Sequence, residues 1–187
     1  MIRWMQTWLW RFRRTKLSVI RLVVLDVDGV LTDGGLWFDQ DGRLQKRFDV
    51  RDGLGIRLLQ DAGLTIAFLS GGKGGATEMR ARQLGIEHCL VGIKDKPIAL
   101  ETLQQKLGFT QKQTAFIGDD LNDLAVRPQV SLLITPSDAC YAIRRQADWV
   151  LGRRGGHGAV REAAEGFLKS RNRWRKLSAQ GWRECND

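Results

Sequence analysis

The feature that most limits the fold of this chain is a regular alternation of apolar runs and helical patterns in its middle part. Five apolar runs are typical of buried strands, and they read RLVVLD, TIAFLS, HCLVG, TAFIGD and VSLLI. Helical patterns fall between and after them, at 53–62, 73–84, 96–107, 121–126, 138–147 and 158–169. Because strands that alternate with helices form parallel sheets covered on both faces, we predict an α/β fold with a Rossmann-like, doubly wound sheet.

One segment interrupts this alternation. LWFDQDGRLQKRFDV has two short strand-like runs on either side of Asp41-Gly42, a pair that favours a tight turn. We predict a β-hairpin that protrudes from the sheet just after the first strand. The rest of the chain between Asp28 and Lys96 holds only single helix and strand units, which leaves no room for a cap domain. The hairpin then either covers an active site in an oligomer or is a simple surface flap.

The net charge of +9 is confined to the two ends of the chain. Residues 1–16 carry five Lys or Arg and no acid, and residues 169–187 carry six Lys or Arg against two acids. These ends account for the whole excess, so residues 17–168 are neutral. We therefore predict a basic, Trp-rich extension (1–16), a catalytic domain (17–168) and a basic tail (169–187). Because the excess charge lies in the ends, the sequence does not predict a nucleic-acid-binding function.

Composition also limits the cellular context. Three cysteines lie outside any CxxC pattern and are odd in number, which predicts free thiols and a cytoplasmic protein. No apolar run approaches the roughly 20 residues of a membrane span. Met1, Met5, Trp8 and Phe12 are spaced as on one face of a helix, which permits membrane-surface contact. We favour the alternative, an extension without membrane contact.

Polar side chains follow the predicted strands at their carboxyl ends, where open parallel sheets bind ligands. They are Asp26 and Asp28 after the first strand, Ser70 after the second, Lys96 at the start of the helix after HCLVG, and Asp119 and Asp120 after TAFIG. Taken singly, each has an ordinary explanation as a turn, a helix cap or a surface charge. Taken together, they indicate one site at one edge of the sheet.

Carboxylates at the end of a buried strand need a positive partner, because buried unpaired charge is costly. We predict Mg²⁺ bound by Asp26, the backbone carbonyl of Asp28 and Asp119, since this ion prefers oxygen ligands. Asp26 then attacks a phosphate to form an aspartyl-phosphate, and Asp28 is the general acid and base. Ser70 and nearby N–H groups bind the phosphate oxygens, and Lys96 offsets their charge.

The residues with this chemistry resemble a known family. DVDGVLTDG, Ser70-Gly71, Lys96 and GDDLND are similar to the four motifs of the haloacid dehalogenase superfamily. FDVRDGLGIRLL, LGIEHCLVGIKDKPIAL and GGHGAVRE resemble its cap-less subgroup, so that the resemblance covers about residues 20–168. It implies a Mg²⁺-dependent phosphatase of a keto-sugar acid phosphate, such as 3-deoxy-D-manno-octulosonate 8-phosphate, with Gly71 beside the phosphate. It also implies a homotetramer.

Two other functions remain open within this resemblance. The subgroup includes phosphatases of nine-carbon sialic-type acid 9-phosphates, and also a non-catalytic oligomerisation module of the same fold. A sugar acid needs a cation for its carboxylate, for which we predict Arg51, with Arg57 or Lys73 as alternatives. Gly72 stands where the subgroup commonly has arginine, so that either Lys73 compensates or the pocket accepts another sugar. Asp120 and Asp123 are predicted to act as outer ligands or to orient the conserved-motif lysine.

Overall fold

A computed structural model of the chain describes residues 15–183, and its centre is a six-stranded parallel sheet. The strands are β1 (Leu22–Leu25), β2 (Trp37–Phe38), β3 (Leu44–Gln45), β4 (Thr65–Leu69), β5 (His88–Leu90), β6 (Thr114–Ile117), β7 (Leu132–Thr135) and β8 (Trp149–Val150). The helices are α1 (Val50–Asp61), α2 (Ala76–Gln83), α3 (Lys96–Leu107), α4 (Leu121–Leu124), α5 (Tyr141–Gln146), α6 (Ala159–Ser170) and α7 (Trp174–Gln180), and residues 15–19 are also helical. The predicted α/β fold is confirmed.

The order of the strands defines where a ligand can bind. In the sheet, β5, β4, β1, β6, β7 and β8 lie side by side, and every neighbouring pair is parallel. The chain moves outward from β1 through β4 to β5, then returns to β6 on the other side of β1. This reversal is the topological switch point at which doubly wound sheets bind ligands. Leu25 is level with Phe68 and Ile117, so the residues after β1, β4 and β6 meet at one edge.

Both faces of the sheet are covered, as the continuous apolar runs predict. Val23 and Leu25 face one hydrophobic cluster, which includes Ile56 of α1 and Phe167 of α6. The alternate residues of β1 belong to the second cluster, which includes Leu100 of α3. Because successive side chains of a strand point to opposite faces, β1 is packed on both sides. The edge that follows β1 is therefore held by a rigid core.

The predicted β-hairpin is confirmed. Strands β2 and β3 pair antiparallel, and the carboxylate of Asp39 accepts hydrogen bonds from the N–H groups of Asp41 and Arg43 in the loop between them. Trp37 and Phe38 leave about two thirds of their surface exposed. Within residues 15–183, a single helix, α1, lies between this hairpin and β4, and no cap domain is present. The site edge is thus open to solvent in one chain.

The described part of the C-terminal segment contacts the sheet domain. Helix α6 continues to Ser170, and the guanidinium of Arg171 donates hydrogen bonds to the carbonyl groups of Leu17 and Ile20. The indole N–H of Trp182 donates to Asp61 at the end of α1. Within residues 15–183, no helix combines the length and apolar character of a membrane span. The predicted amphipathic pattern of residues 1–12 lies outside the described residues.

Candidate active site

A cleft of about 340 Å³ lies at the edge where β1, β4 and β6 end. It is lined by Asp26, Asp28, Gly29, Gly34, Ser70, Gly71, Gly72, Asp119, Asp120 and Asn122. Five of these residues were predicted as site residues, and they come from three segments that are far apart in the sequence. The parallel register of the sheet brings them together, since it aligns the ends of the three strands.

Lys96 is a buried cation beside the first of these carboxylates. Its Nζ lies 2.8 Å from Oδ1 of Asp26 and 2.5 Å from Oδ1 of Asp123, and its side chain is only 2 % exposed. Asp95 caps α3 by accepting a hydrogen bond from the N–H of Ile98, and proline follows Lys96. Cap and proline therefore fix the start of α3 and the place of the lysine.

Asp123 secures both the lysine and the loop after β6. It is fully buried, and its second oxygen accepts hydrogen bonds from the N–H groups of Asp119 (2.9 Å) and Asp120 (3.4 Å). A Cβ at Gly118 would lie 2.5 Å from the Cβ of Asp123, so glycine permits this close approach. Of the two roles predicted for Asp123, these contacts support that of orienting Lys96.

The two carboxyls at the centre of the cleft are held in an unfavourable environment. Burial, and then the nearby charge of Asp123, raises the pKa of Asp26 to about 7, although Lys96 opposes the change. Burial and the charges of Asp123 and Asp26 raise the pKa of Asp119 to about 8. Burial alone lowers the pKa of Lys96, but the two carboxylates outweigh it and the pKa is raised. A further cation would relieve this repulsion.

The donor set fits Mg²⁺. Asp26, Asp119 and Asp123 each offer a carboxylate oxygen, and these atoms lie within 4.8 Å of one another. All three are oxygen ligands, which Mg²⁺ prefers, and their mutual repulsion calls for a divalent cation. Asp123 already contacts Lys96 and two N–H groups, so Asp26 and Asp119 are the better side-chain ligands. The backbone carbonyl of Asp28 as a third ligand stays a prediction.

Asp28 has a partner that sequence reasoning missed. Its side chain is one third exposed, and Nζ of Lys46 lies 2.7 Å from Oδ1 and 2.8 Å from Oδ2. Lys46 directly follows β3 of the hairpin. The only signal in the sequence was the two-residue alternation from Leu44 to Lys46, which places both side chains on the same face of the strand. A lysine is ordinarily assigned to solvent at such a position.

The segment after β4 forms another wall of the cleft. Ser70 is buried, and its hydroxyl accepts a hydrogen bond from the N–H of Gly72 at 3.1 Å. The N–H of Ser70 donates to the carbonyl of Leu90, which continues the pairing of β4 with β5. This pairing fixes Ser70 and the following Gly71 at the mouth of the cleft, as predicted from the position of Ser70 after an apolar run.

The predicted substrate cations do not line this cleft. Arg51 makes a bidentate contact with Asp49, with Nε 3.0 Å from Oδ1 and Nη2 2.7 Å from Oδ2. This contact lowers the pKa of Asp49 to about 2. Arg51 instead lines a second cleft, together with Arg153 and Arg161. Lys73 is exposed and is also absent from the lining of the first cleft. The substrate roles of Arg51 and Lys73 stay predictions.

Comparisons with known proteins define the class of the chain. A family model described as haloacid dehalogenase-like hydrolase matches residues 38–126. A relative from Haemophilus influenzae, named 3-deoxy-D-manno-octulosonate 8-phosphate phosphatase KdsC, is 40% identical over 158 residues, which cover 84% of this chain and 88% of the relative. The chain belongs to the haloacid dehalogenase-like hydrolases.

Within this class, the chain is similar to 3-deoxy-D-manno-octulosonate 8-phosphate phosphatases in particular. The enzyme of that name from Moraxella catarrhalis, solved in complex with a magnesium ion, a phosphate ion and a KDO molecule, has a TM-score of 0.88 at 36% identity, and the match covers 91% of this chain and 98% of that one. The phosphatase from Yersinia pestis has a TM-score of 0.84 at 37% identity and covers 87% and 88%.

Proposed function

We propose that this protein is a Mg²⁺-dependent phosphatase that hydrolyses 3-deoxy-D-manno-octulosonate 8-phosphate through an aspartyl-phosphate intermediate. The observation that carries the proposal is the contact of Lys96 with Asp26 in a cleft that also holds Asp28 and Asp119. A pure scaffold has no need for a buried lysine, a carboxylate pair and an acid–base candidate at one edge. The similarity to phosphatases named for this substrate supports the choice of sugar.

In the first step, Asp26 is the nucleophile. Its carboxylate oxygen forms a bond to phosphorus as the ester P–O bond breaks, and the electron pair of that bond goes to the sugar oxygen. Asp28 gives its proton to this oxygen as the alcohol leaves. Bound by Asp26, Asp119 and the carbonyl of Asp28, Mg²⁺ supplies positive charge that offsets the repulsion between carboxylate and phosphate. Lys96 holds Asp26 in place throughout.

In the second step, water hydrolyses the aspartyl-phosphate. The water oxygen attacks phosphorus, the bond from phosphorus to Asp26 breaks, and Asp28 accepts the proton of the water. Ser70 and the N–H groups that follow it are placed at the cleft mouth, where they can bind phosphate oxygens in both steps. The products are the sugar acid and inorganic phosphate, and both carboxylates return to their starting state.

The assembly follows from the open cleft. We propose a homotetramer in which the hairpin of one subunit covers the cleft of another, because one chain alone does not exclude water from the site. The exposed Leu36, Trp37 and Phe38 on the hairpin support an apolar contact of this kind. A solution mass of four times 21.2 kDa is expected in light scattering, and a monomer mass contradicts the arrangement. The cytoplasmic location stays a prediction.

The test of the proposed activity is release of inorganic phosphate from 3-deoxy-D-manno-octulosonate 8-phosphate, with Mg²⁺ and with EDTA. We expect turnover only with Mg²⁺ and none in Asp26→Asn. Asp61→Asn is the matched control, since Asp61 lies at the end of α1 outside the cleft. Turnover by Asp26→Asn, or no turnover of any phosphate ester by the wild type, contradicts the proposal. A nine-carbon sialic-type acid 9-phosphate as the better substrate would replace the sugar but keep the mechanism.

A further inference from the structure

Lys46 is a buried cation on an exposed element. The side chain of Lys46 is only 1 % exposed, although its neighbours Gln45 and Arg47 on the hairpin are exposed. Its ammonium is within 2.8 Å of both carboxylate oxygens of Asp28. Burying a lysine costs free energy unless its charge is paired, and the carboxylate of Asp28 supplies that pairing. The hairpin therefore delivers a charge to the cleft.

The space for this ammonium depends on Gly72. A Cβ at Gly72 would lie 2.9 Å from Oδ2 of Asp28 and 3.3 Å from Nζ of Lys46. It would also lie 3.4 Å from the hydroxyl of Ser70. Any larger residue at this position therefore crowds the contact between Lys46 and Asp28. The absence of a side chain at 72 and the buried lysine at 46 form one arrangement.

We propose that Lys46 is a positioning residue that acts through Asp28 in the hydrolysis of the aspartyl-phosphate. This inference rests on the proposed function. An ammonium in contact with both oxygens stabilises the negative charge of a carboxylate and fixes its orientation. The ionised carboxylate is the form that accepts a proton from water. Lys46 thus favours the second step of the reaction, in which Asp28 is the base.

The atoms of that step balance with Lys46 as a bystander. Water gives its oxygen to phosphorus and one proton to Asp28, while the bond between phosphorus and Asp26 breaks and leaves the Asp26 carboxylate. Lys46 keeps its protons and changes only the stability and orientation of the accepting group. Once the new proton leaves Asp28 for solvent or for the next leaving alcohol, the contact with Lys46 is restored.

Anchoring of the hairpin is a separate matter. Arg47, the next residue, donates a hydrogen bond from Nη1 to the carbonyl of Gly156 at 3.1 Å. The base of the hairpin is therefore held to the body of the domain without Lys46. Loss of the lysine is expected to change the surroundings of Asp28 more than the position of the hairpin.

The test compares Lys46→Met with Lys46→Arg and with Arg43→Met, an exposed cation on the same hairpin. For Lys46→Met we expect kcat to fall by about tenfold or more, the low end of the usual contribution of a general base. We expect kcat/KM to change by less than about threefold, because that parameter ends at formation of the intermediate. Acid quenching with ³²P-labelled substrate should then show accumulated phosphoenzyme. Lys46→Arg should restore part of kcat, and Arg43→Met should behave as wild type.

Gly72→Ala gives a second route to the same perturbation, and it leaves Lys46 itself unchanged. We expect a lower kcat and accumulated phosphoenzyme, as for Lys46→Met. A raised KM with unchanged kcat in Lys46→Met would overturn the proposal, because Lys46 would then bind substrate. Equal loss of kcat and kcat/KM without phosphoenzyme would also overturn it, as would wild-type kinetics. If the wild-type enzyme forms no phosphoenzyme, the proposed function fails instead, whatever the variants do.

Discussion

Gly29 offers a sharp test of the geometry around Asp119. Gly29 has a φ of +83°, and a Cβ built on it would lie 2.0 Å from Oδ2 of Asp119. Real Cβ contacts are essentially never shorter than 3.0 Å, so Gly29→Ala must displace the carboxylate by about 1 Å. Gly108 provides the matched control. It has a φ of +69°, caps the end of α3, and has nothing within 4 Å of its built Cβ.

The two substitutions share one cost and differ in another. Alanine in the left-handed region loses roughly 1–2 kcal/mol of stability at either position. Only Gly29→Ala also moves a carboxylate of the proposed metal site, and a displacement of about 1 Å in an active site can cost on the order of 100-fold in rate. We therefore expect similar losses of unfolding free energy from backbone strain, together with about a 100-fold loss of phosphatase activity in Gly29→Ala alone.

The assay is phosphate release as a function of Mg²⁺ concentration, beside urea unfolding in EDTA. Gly29→Ala should need more Mg²⁺ for half-maximal activity, while Gly108→Ala should match the wild type in both measurements of activity. If Gly29→Ala keeps its activity within about threefold of wild type, Asp119 does not need its observed position. If Gly108→Ala loses as much activity as Gly29→Ala, backbone strain explains the loss and the reasoning fails.

Two further predictions concern the charges of the cleft. Lys96→Met removes the ammonium between two buried carboxylates, so urea unfolding in EDTA at pH 8 should show a loss of about 3 kcal/mol, whereas the exposed Lys106→Met should change little; a loss below about 1 kcal/mol contradicts the role of Lys96 as an essential counter-charge. Mg²⁺ must displace protons from carboxyls with a pKa of about 7 at Asp26 and about 8 at Asp119, so calorimetry should show affinity at least about tenfold weaker at pH 6 than at pH 8, with proton release; equal affinity at both pH values refutes it.

Much of the fold was predictable because its signals are local. The strands β1, β4, β5, β6 and β7 all fall on predicted apolar runs, and α3 has its predicted bounds because Asp95 and Gly108 cap its two ends. Helix α2 begins three residues later than predicted, since Gly75 adopts a φ of +78° before it. Helix α1 begins three residues earlier, where Asp49 caps it beside the exposed Val50. Strand β8 has only two residues, too few for a pattern.

The candidate site was predictable where it follows from strand order, and not where it depends on tertiary contacts. The group formed by Asp26, Ser70 and Asp119 follows from parallel register alone. The contact of Lys46 with Asp28 does not, because it depends on how the hairpin lies against the sheet edge. Arg51 was assigned to the substrate from its charge. Its bidentate partner Asp49 lies only two residues away, and such local pairing competes with any role in the cleft.

The arrangement explains why two aspartates stand two residues apart at the end of β1. Residues i and i+2 of an extended chain point to the same side, so Asp26 and Asp28 both face the cleft, while Val27 between them is buried in the core. Their electrostatic needs differ. Asp26 is buried against Lys96, as suits a nucleophile held in one position. Asp28 is partly exposed and paired with Lys46, as suits a group that must exchange protons with water. One lysine comes from a helix of the core and the other from the hairpin, so the two carboxylates can be adjusted independently by substitution.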